Sequence, residues 1–197
     1  MGKRNLESAL EHQQLKDSVD VEWKPFFLDV NAKEGTLPIA EHIEQKYGPG
    51  AGKRMNLSLN AAGKAVGIAF TPDRTTHNTV LSHRLVHLAG QQGKQDAAIE
   101  ALFSAYFEHG AKISDAQVLL GIADKAGVTG AKEYLESDQD RDTLLEEYQE
   151  GVRKYRITGV PYFIIGKQGS EEVITLSGAQ PPAAFETGFE TLSEQDQ

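Results

Sequence analysis

The chain has 197 residues, 39% of them hydrophobic and 25% charged, which is ordinary for a folded globular protein. Its net charge of −9 argues against nucleic acid and against anionic membrane surfaces as partners. It contains no cysteine, which excludes disulfides, thiolate nucleophiles and cysteine-ligated zinc from these residues. No apolar run has the ~20 residues of a membrane span, and no signal-peptide pattern occurs at the charged start. We therefore expect a cytoplasmic protein.

The first part of the chain predicts a helix followed by a strand. Leu6, Ala9 and Leu10 recur at helical spacing, which predicts a helix over residues 3–16. Apolar and polar positions then alternate over Val19–Leu28, which predicts a strand. Pro25 favours an edge strand or a bulge there, because proline cannot donate a ladder hydrogen bond.

The middle of the chain is predicted to be almost entirely helical. A proline near the start and a glycine at the end frame a short helix between Thr36 and Gly48. A break is predicted at Ala61–Gly63 and a short extended piece over residues 64–70. Further helical patterns cover residues 54–60, 77–90, 95–109, 115–126 and 131–138.

The last part of the chain predicts a helix, a hairpin and a second helix. A long helical pattern over residues 141–156 leads into the X-Pro step at Pro161. Two apolar runs, Tyr162–Ile165 and Val173–Leu176, follow and are separated by the turn signal Gly166–Gly169, which indicates a β-hairpin. Two prolines at 181 and 182 then begin the final helix.

Six stretches spread over nearly the whole chain carry a family resemblance. They are Gly2–Glu7, Val21–Leu28, Asn78–Leu85, Leu102–Gly110, Gly159–Phe163 and Ser177–Pro182. In order and spacing they resemble the thioredoxin superfamily, and within it the DsbA-like branch related to FrnE-type dithiol-disulfide oxidoreductases and 2-hydroxychromene-2-carboxylate isomerases. The resemblance implies an α/β thioredoxin-like fold, with residues 1–35 and 139–197 forming the thioredoxin-like domain and residues 36–138 a large all-helical insertion.

In that family a first, central strand ends in a Cys-x-x-Cys motif at the N-terminus of the helix that here contains Gly2, Lys3 and Arg4. This sequence holds neither the strand nor the motif, so the resemblance implies a fold whose first strand is missing. A lost central strand would leave backbone groups of its neighbours unpaired. We therefore expect a shortened version of a longer protein. The alternative is a cysteine-free relative that closes its sheet in another way.

Val160 and Pro161 are the first candidates for a substrate-binding site. In the family the equivalent proline is cis and faces the Cys-x-x-Cys, which leaves the preceding backbone free to pair with an extended peptide or a glutathione-like thiol. We therefore expect a cis bond here, the alternative being an ordinary trans proline that opens a strand. His83 and Arg84 are further candidates, suited to an anionic group such as a glutathione carboxylate. The alternative for this pair is an ordinary helix surface.

No metal site is predicted. His83 and His87 are four residues apart and could share one helix face, with His77 nearby. However, no His-Glu-x-x-His motif occurs, and helical histidines are more often packed or solvated side chains.

The resemblance implies a thiol–disulfide oxidoreductase family whose partners are protein thiols and disulfides. For this chain we predict no catalytic residue and no redox activity, because thiol exchange requires a thiolate. One alternative is a glutathione-dependent isomerase or transferase of the kappa type, for which glutathione would be the cofactor. Another is a non-enzymatic module that binds peptides at Val160 and Pro161. No other cofactor is predicted, and the sequence leaves the oligomeric state open.

Overall fold

The computed structural model describes residues 1–30, 32 and 37–194. Its elements in chain order are helices α1 (Gly2–His12), α2 (Ile39–Tyr47), α3 (Ala51–Lys64), α4 (Val80–Gln91) and α5 (Gln95–Phe103), a π-helical segment (Ser104–Glu108), helices α6 (Ala116–Ala126), α7 (Ala131–Glu136) and α8 (Arg141–Tyr155), strands β1 (Tyr162–Gly166) and β2 (Val173–Ser177), and helix α9 (Pro182–Glu194). None of the helices in these ranges combines the length and the apolar character that crossing a bilayer requires.

The chain divides into two compact units. The first comprises residues 1–21 together with the chain from Gly151 onward, and the second comprises residues 22–150. The sequence analysis placed the corresponding boundaries at 35/36 and 138/139, of which the former lies outside the described residues. That assignment as a domain with an insertion stays a prediction.

In the first unit, α1 and α9 pack against an antiparallel hairpin. In β1 and β2, Tyr162 lies opposite Ser177 and Gly166 opposite Val173. Because side chains alternate between the two faces of a strand, one face of the hairpin presents apolar residues to the helices. The buried residues here are Ala9, Leu10, Phe185 and Phe189, and the side chains packed against them include Leu6, Phe163, Ile165 and Leu176.

The second unit has a larger core built by helices. Fifteen buried residues from α4, α5, α6, α7 and the loops between them form one cluster. Asp115 begins α6 by accepting hydrogen bonds from the backbone N–H groups of Gln117 and Val118, and Gly127 ends it with a φ of +71°. These are the N-cap and C-cap signals that the sequence shows at both ends of this helix.

The predicted strand over Val19–Leu28 is wrong, because no strand occurs there in the structure. The backbone N–H of Trp23 donates to Gln95 Oε1 at 2.9 Å, and the Trp23 C=O accepts from Gln95 Nε2 at 3.0 Å. A side-chain amide thus occupies the place of a neighbouring strand. Alternating polarity predicts extended backbone, but only tertiary structure decides whether another strand pairs with it.

Several predicted limits of helices and extended segments also differ from the structure. Helix α1 ends at His12 rather than Lys16, since the N–H of Leu15 turns back to the C=O of Leu10 at 2.8 Å. The predicted break at Gly63 is absent, and α3 continues to Lys64. A Cβ on Gly63 would lie 2.7 Å from the Ile68 carbonyl oxygen, so this glycine permits a close backbone approach. The predicted extended piece over residues 64–70 forms no strand. The helix predicted over residues 95–109 changes to π-helical geometry at Ser104.

Candidate functional site

The start of α1 lies against the loop that leads into β1. Gly2 is buried, and a Cβ placed on it would lie 3.0 Å from Phe163 Cζ and 3.1 Å from Pro161 Cγ. Glycine therefore lets the helix approach closer than a residue with a side chain could. The first-turn amides of a helix lack intrahelical acceptors and carry partial positive charge, and the side chain of the N-cap residue Met1 forms no capping hydrogen bond here. The arrangement places a helix N-terminus with anion-stabilising character beside Pro161.

Val160 presents free main-chain groups next to this helix start. The bond between Val160 and Pro161 is cis, which is the isomer that the sequence analysis expected. The residue Val160 is 51% exposed, and neither its backbone N–H nor its C=O has a hydrogen-bond partner among the residues that the structure describes. The C=O of Pro161, in contrast, accepts from the N–H of Gly178 at 2.8 Å. The Val160 backbone is therefore available to a ligand.

Polar contacts hold the segment after β2 against α1. Asn5 Nδ2 donates to the C=O of Gln180 at 2.8 Å, and Gln180 Nε2 donates to the C=O of Ser177 at 2.7 Å. Gln180 and Gly2 thus help to fix the surroundings of Pro161, although the sequence analysis gave neither a role. Because Asn5 and Gln180 are 175 residues apart, the only signal in the sequence was that both segments belong to the family resemblance.

Three charged side chains interact within the first turns of α1. Lys3 is 9% exposed and pairs with Glu7, and Arg4 Nη1 lies 2.9 Å from Glu7 Oε2. Burial alone would raise the pKa of Glu7, but the hydrogen bonds and positive charges of Lys3 and Arg4 together outweigh it and lower that pKa. Glu7 is therefore ionised at neutral pH and neutralises part of the positive charge near the helix start.

Arg84 lies in the second unit and is only 2% exposed. Its Nη2 donates to the C=O of Tyr134 at 2.5 Å and its Nε to the C=O of Gln139 at 3.0 Å, while Nη1 lies 3.4 Å from the C=O of Leu135. The guanidinium also lies 5.0 Å from the Tyr134 ring centroid. It therefore satisfies carbonyls at the end of α7, where a helix leaves its last carbonyls without intrahelical donors.

His83 packs inside the second unit as well. Its Nδ1 is 2.7 Å from the Thr79 carbonyl oxygen, and its ring centroid is 4.6 Å from that of Phe27. Burial lowers the pKa of His83, although hydrogen bonds to the backbone of Thr79 and Phe26 oppose that shift. The expected substrate contacts of His83 and Arg84 stay predictions.

The histidines considered as metal ligands have other neighbours. His77 Nε2 lies 3.1 Å from Thr75 Oγ1, and His87 Nε2 lies 3.6 Å from Asp140 Oδ2. Within the described ranges, no group of three or more His, Cys, Asp or Glu side chains has a geometry suited to a metal ion.

The hairpin, its two helices and the placement of Pro161 beside a helix start define a thioredoxin-like domain. A family model described as a DSBA-like thioredoxin domain matches residues 1–190. The chain belongs to this family. The DsbA-like family and the thioredoxin-like α/β fold predicted from the sequence are therefore confirmed, whereas the narrower assignment to the FrnE-type branch stays a prediction.

Two known proteins are similar to this chain. An uncharacterised protein of Bacillus subtilis, YwbO, is 26% identical over 170 residues, which cover 84% of this chain and 80% of YwbO. The crystal structure of a probable DsbA oxidoreductase from Streptomyces coelicolor matches with a TM-score of 0.87 and 27% identity, covering 98% of this chain and 83% of that one.

Proposed function

We propose that this chain is a DsbA-like domain of the FrnE-type branch that binds protein thiol and disulfide substrates as extended segments beside Val160. The observation that carries the proposal is that Val160, an exposed residue next to the start of α1, has no backbone hydrogen-bond partner among the described residues. An extended peptide can form antiparallel main-chain hydrogen bonds with a free N–H and C=O of this kind. The helix N-terminus beside it would favour a developing thiolate on the substrate.

The redox step is not assigned to these residues. Thiol–disulfide exchange begins with attack of a thiolate on a disulfide sulfur, and the 197 residues contain no cysteine. We therefore propose that they supply substrate binding only. A verified cysteine-free preparation is expected to reduce insulin no faster than the uncatalysed background, and turnover above that background would contradict this part of the proposal.

Peptide binding at Val160 can be tested with two matched substitutions in the same unit. Val160→Asp places a charge at the proposed site, and Val173→Asp places one on β2, where Val173 is 39% exposed and lies opposite Gly166 at the other end of the hairpin. Titration calorimetry with a cysteine-containing peptide is expected to show at least about tenfold weaker binding for Val160→Asp, equivalent to about 1.4 kcal/mol. Val173→Asp should bind as the unmodified chain does.

The same titration with glutathione separates the proposal from its enzymatic alternative. Glutathione binding that is sensitive to Val160→Asp, without peptide binding, would favour a glutathione-dependent isomerase or transferase. Equal losses in the two variants, or no binding of either ligand to the unmodified chain, would contradict a peptide site at Val160.

A further inference from the structure

Arg74, in the second unit, carries a buried guanidinium within a cluster of aromatic rings. The residue is 8% exposed. Its Cζ lies 5.9 Å from the ring centroid of Phe70, 6.0 Å from that of Tyr106 and 5.5 Å from that of Phe107. Such cation–π contacts stabilise a guanidinium by about 0.5–2 kcal/mol each. They supply no hydrogen-bond acceptor, however.

Of the five N–H groups of Arg74, one has an acceptor among the residues that the structure describes. Its Nε donates to the C=O of Thr71 at 3.0 Å, and the two terminal nitrogens carry the remaining N–H groups. Among the described residues no acceptor or carboxylate pairs with these nitrogens. In the same ranges, Trp23 Nε1 is both fully enclosed and without a partner, whereas the terminal nitrogens of Arg74 do not meet both conditions. The terminal nitrogens of Arg74 are therefore not completely enclosed, although the residue as a whole is buried.

Arg84, the other buried arginine among the described residues, has different hydrogen-bond partners from Arg74. Arg84 is also buried, but it directs its nitrogens to three backbone carbonyls. A buried cation without such acceptors is unfavourable, because desolvation penalises the charged form. Burial accordingly lowers the pKa of Arg74, opposed only by the nearby Tyr106. An anion bound at the terminal nitrogens would relieve this penalty.

The surrounding backbone holds Arg74 in place. The N–H of Thr71 donates to the C=O of Phe107 at 2.9 Å, and Tyr106 Oη donates to the C=O of Thr75 at 3.0 Å. Tyr106 and Phe107 both belong to the π-helical segment, a rare geometry that is frequent at functional sites. Two of the three rings and the loop that carries Arg74 are therefore joined by hydrogen bonds before any ligand binds.

We propose that Arg74 is a binding site for a carboxylate. The planar fork of a guanidinium matches the two oxygens of a carboxylate and forms two parallel N–H···O bonds with it. The rings of Tyr106 and Phe107 are placed to contact the apolar atoms next to that carboxylate. The ligand is either a small free carboxylic acid or the C-terminus of a polypeptide. This site is independent of the peptide site proposed at Val160.

The proposal can be tested by NMR titration of the full chain with sodium acetate at constant ionic strength. We expect saturable shifts of the backbone amides of residues 71–75 and 104–108. Arg74→Gln should abolish them, and Arg74→Lys, which keeps the charge but lacks the fork, should weaken binding at least about tenfold. Arg54→Gln is the matched control, because Arg54 is exposed on α3, and it should leave the titration unchanged.

Several outcomes would overturn the carboxylate site. They are shifts that do not saturate, the same shifts with chloride alone, equal weakening by Arg54→Gln, or unaltered binding in Arg74→Lys. If Arg74→Gln does not fold, the Arg74→Lys comparison decides the question. A further arm uses one tripeptide with a free or an amidated C-terminus. Amidation of the tripeptide should abolish its binding, because the carboxylate is lost. If the free-acid tripeptide binds more tightly than acetate, the ligand is assigned as a polypeptide C-terminus, and equal binding assigns a small carboxylic acid.

Discussion

The two units of this chain differ in how much core supports them. In the second, fifteen buried residues form one cluster, whereas the central cluster of the first has four. The buried area that stabilises the fold is therefore spread over many side chains in one unit and concentrated in a few in the other. The candidate peptide site lies in the unit with the smaller cluster. Changes near it should have large effects on stability, so every binding test there needs a matched control.

The largest expected effect follows from removing the centre of the smaller cluster. Phe185 is fully buried and contacts Phe163 edge-to-face at 4.8 Å between ring centroids. Phe185→Ala should lower the free energy of unfolding by about 3–5 kcal/mol. Hydrogen exchange should show lost protection throughout α1 and α9. If the loss were confined to the residues around position 185, the view that this unit depends on four side chains would be wrong.

In the larger unit, removal of a buried polar side chain should also lower the free energy of unfolding. Arg84→Met removes the guanidinium donors from the carbonyls of Leu135 and Gln139, whereas the Tyr134 carbonyl keeps a hydrogen bond from Ser137 Oγ, and it should cost about 2–4 kcal/mol. Urea denaturation measures this difference. Arg54→Met, at an exposed position on α3, should change stability by less than about 0.5 kcal/mol. A similar small effect for Arg84→Met would show that water replaces the guanidinium at these carbonyls.

Two glycines sharpen the comparison, because substitution by alanine should change the free energy of unfolding in opposite directions in the two units. A Cβ on Gly2 meets Phe163 and Pro161 at 3.0 and 3.1 Å, whereas a Cβ on Gly121 in α6 meets nothing within 4 Å. Gly2→Ala should therefore destabilise by about 1–3 kcal/mol through overpacking. Gly121→Ala should stabilise by about 0.5–1 kcal/mol. Thermal unfolding of both variants tests the pair, and stabilisation by Gly2→Ala would mean that the Phe163 ring moves aside at little cost.

The smallest expected effect is a pH dependence at the start of α1. The pKa of Glu7 is lowered from its ordinary value of 4.5, so its stabilising contribution is present above that value and disappears as pH falls through the folded-state pKa. Since the Glu7 side chain is 42% exposed, Glu7→Gln should cost only about 0.2–1 kcal/mol at neutral pH. The difference should disappear at an acidic pH below the folded-state pKa of Glu7. Glu11→Gln, on the same helix, is the control, and an equal cost at both pH values would contradict the ion-pair explanation.

Most of the helices could be predicted, because their signals are local. Asp115 and Gly127 mark both ends of α6 in the sequence, and Pro182 begins α9 as expected. The hairpin was predicted by its turn residues. The prediction of a strand over Val19–Leu28 was wrong because the backbone of Trp23 pairs with the side chain of Gln95, which lies 72 positions away. No periodic pattern encodes such a partner.

The candidate sites also comprise residues that the sequence indicated and residues that only the structure revealed. The family resemblance singled out Val160 and Pro161, but it gave no role to Gly2 or Gln180, and neither composition nor spacing singled out Arg74. Arg84 was singled out in the sequence only through its place in the resemblance, and nothing in the sequence indicated that either arginine would be buried. The structure distinguishes them, since one guanidinium meets three carbonyls and the other meets three aromatic rings.

The sequence by itself determined the helix and hairpin signals, the family and the absence of cysteine, because these depend on residue type and short-range spacing. Only the tertiary structure decided that α1 contacts Pro161 through Gly2, that the Val160 backbone has no partner among the described residues, and that the Arg74 guanidinium lies buried among three aromatic rings. Each of these depends on atoms distant in sequence meeting in space, where burial and hydrogen-bond satisfaction set the energetic cost of every polar group.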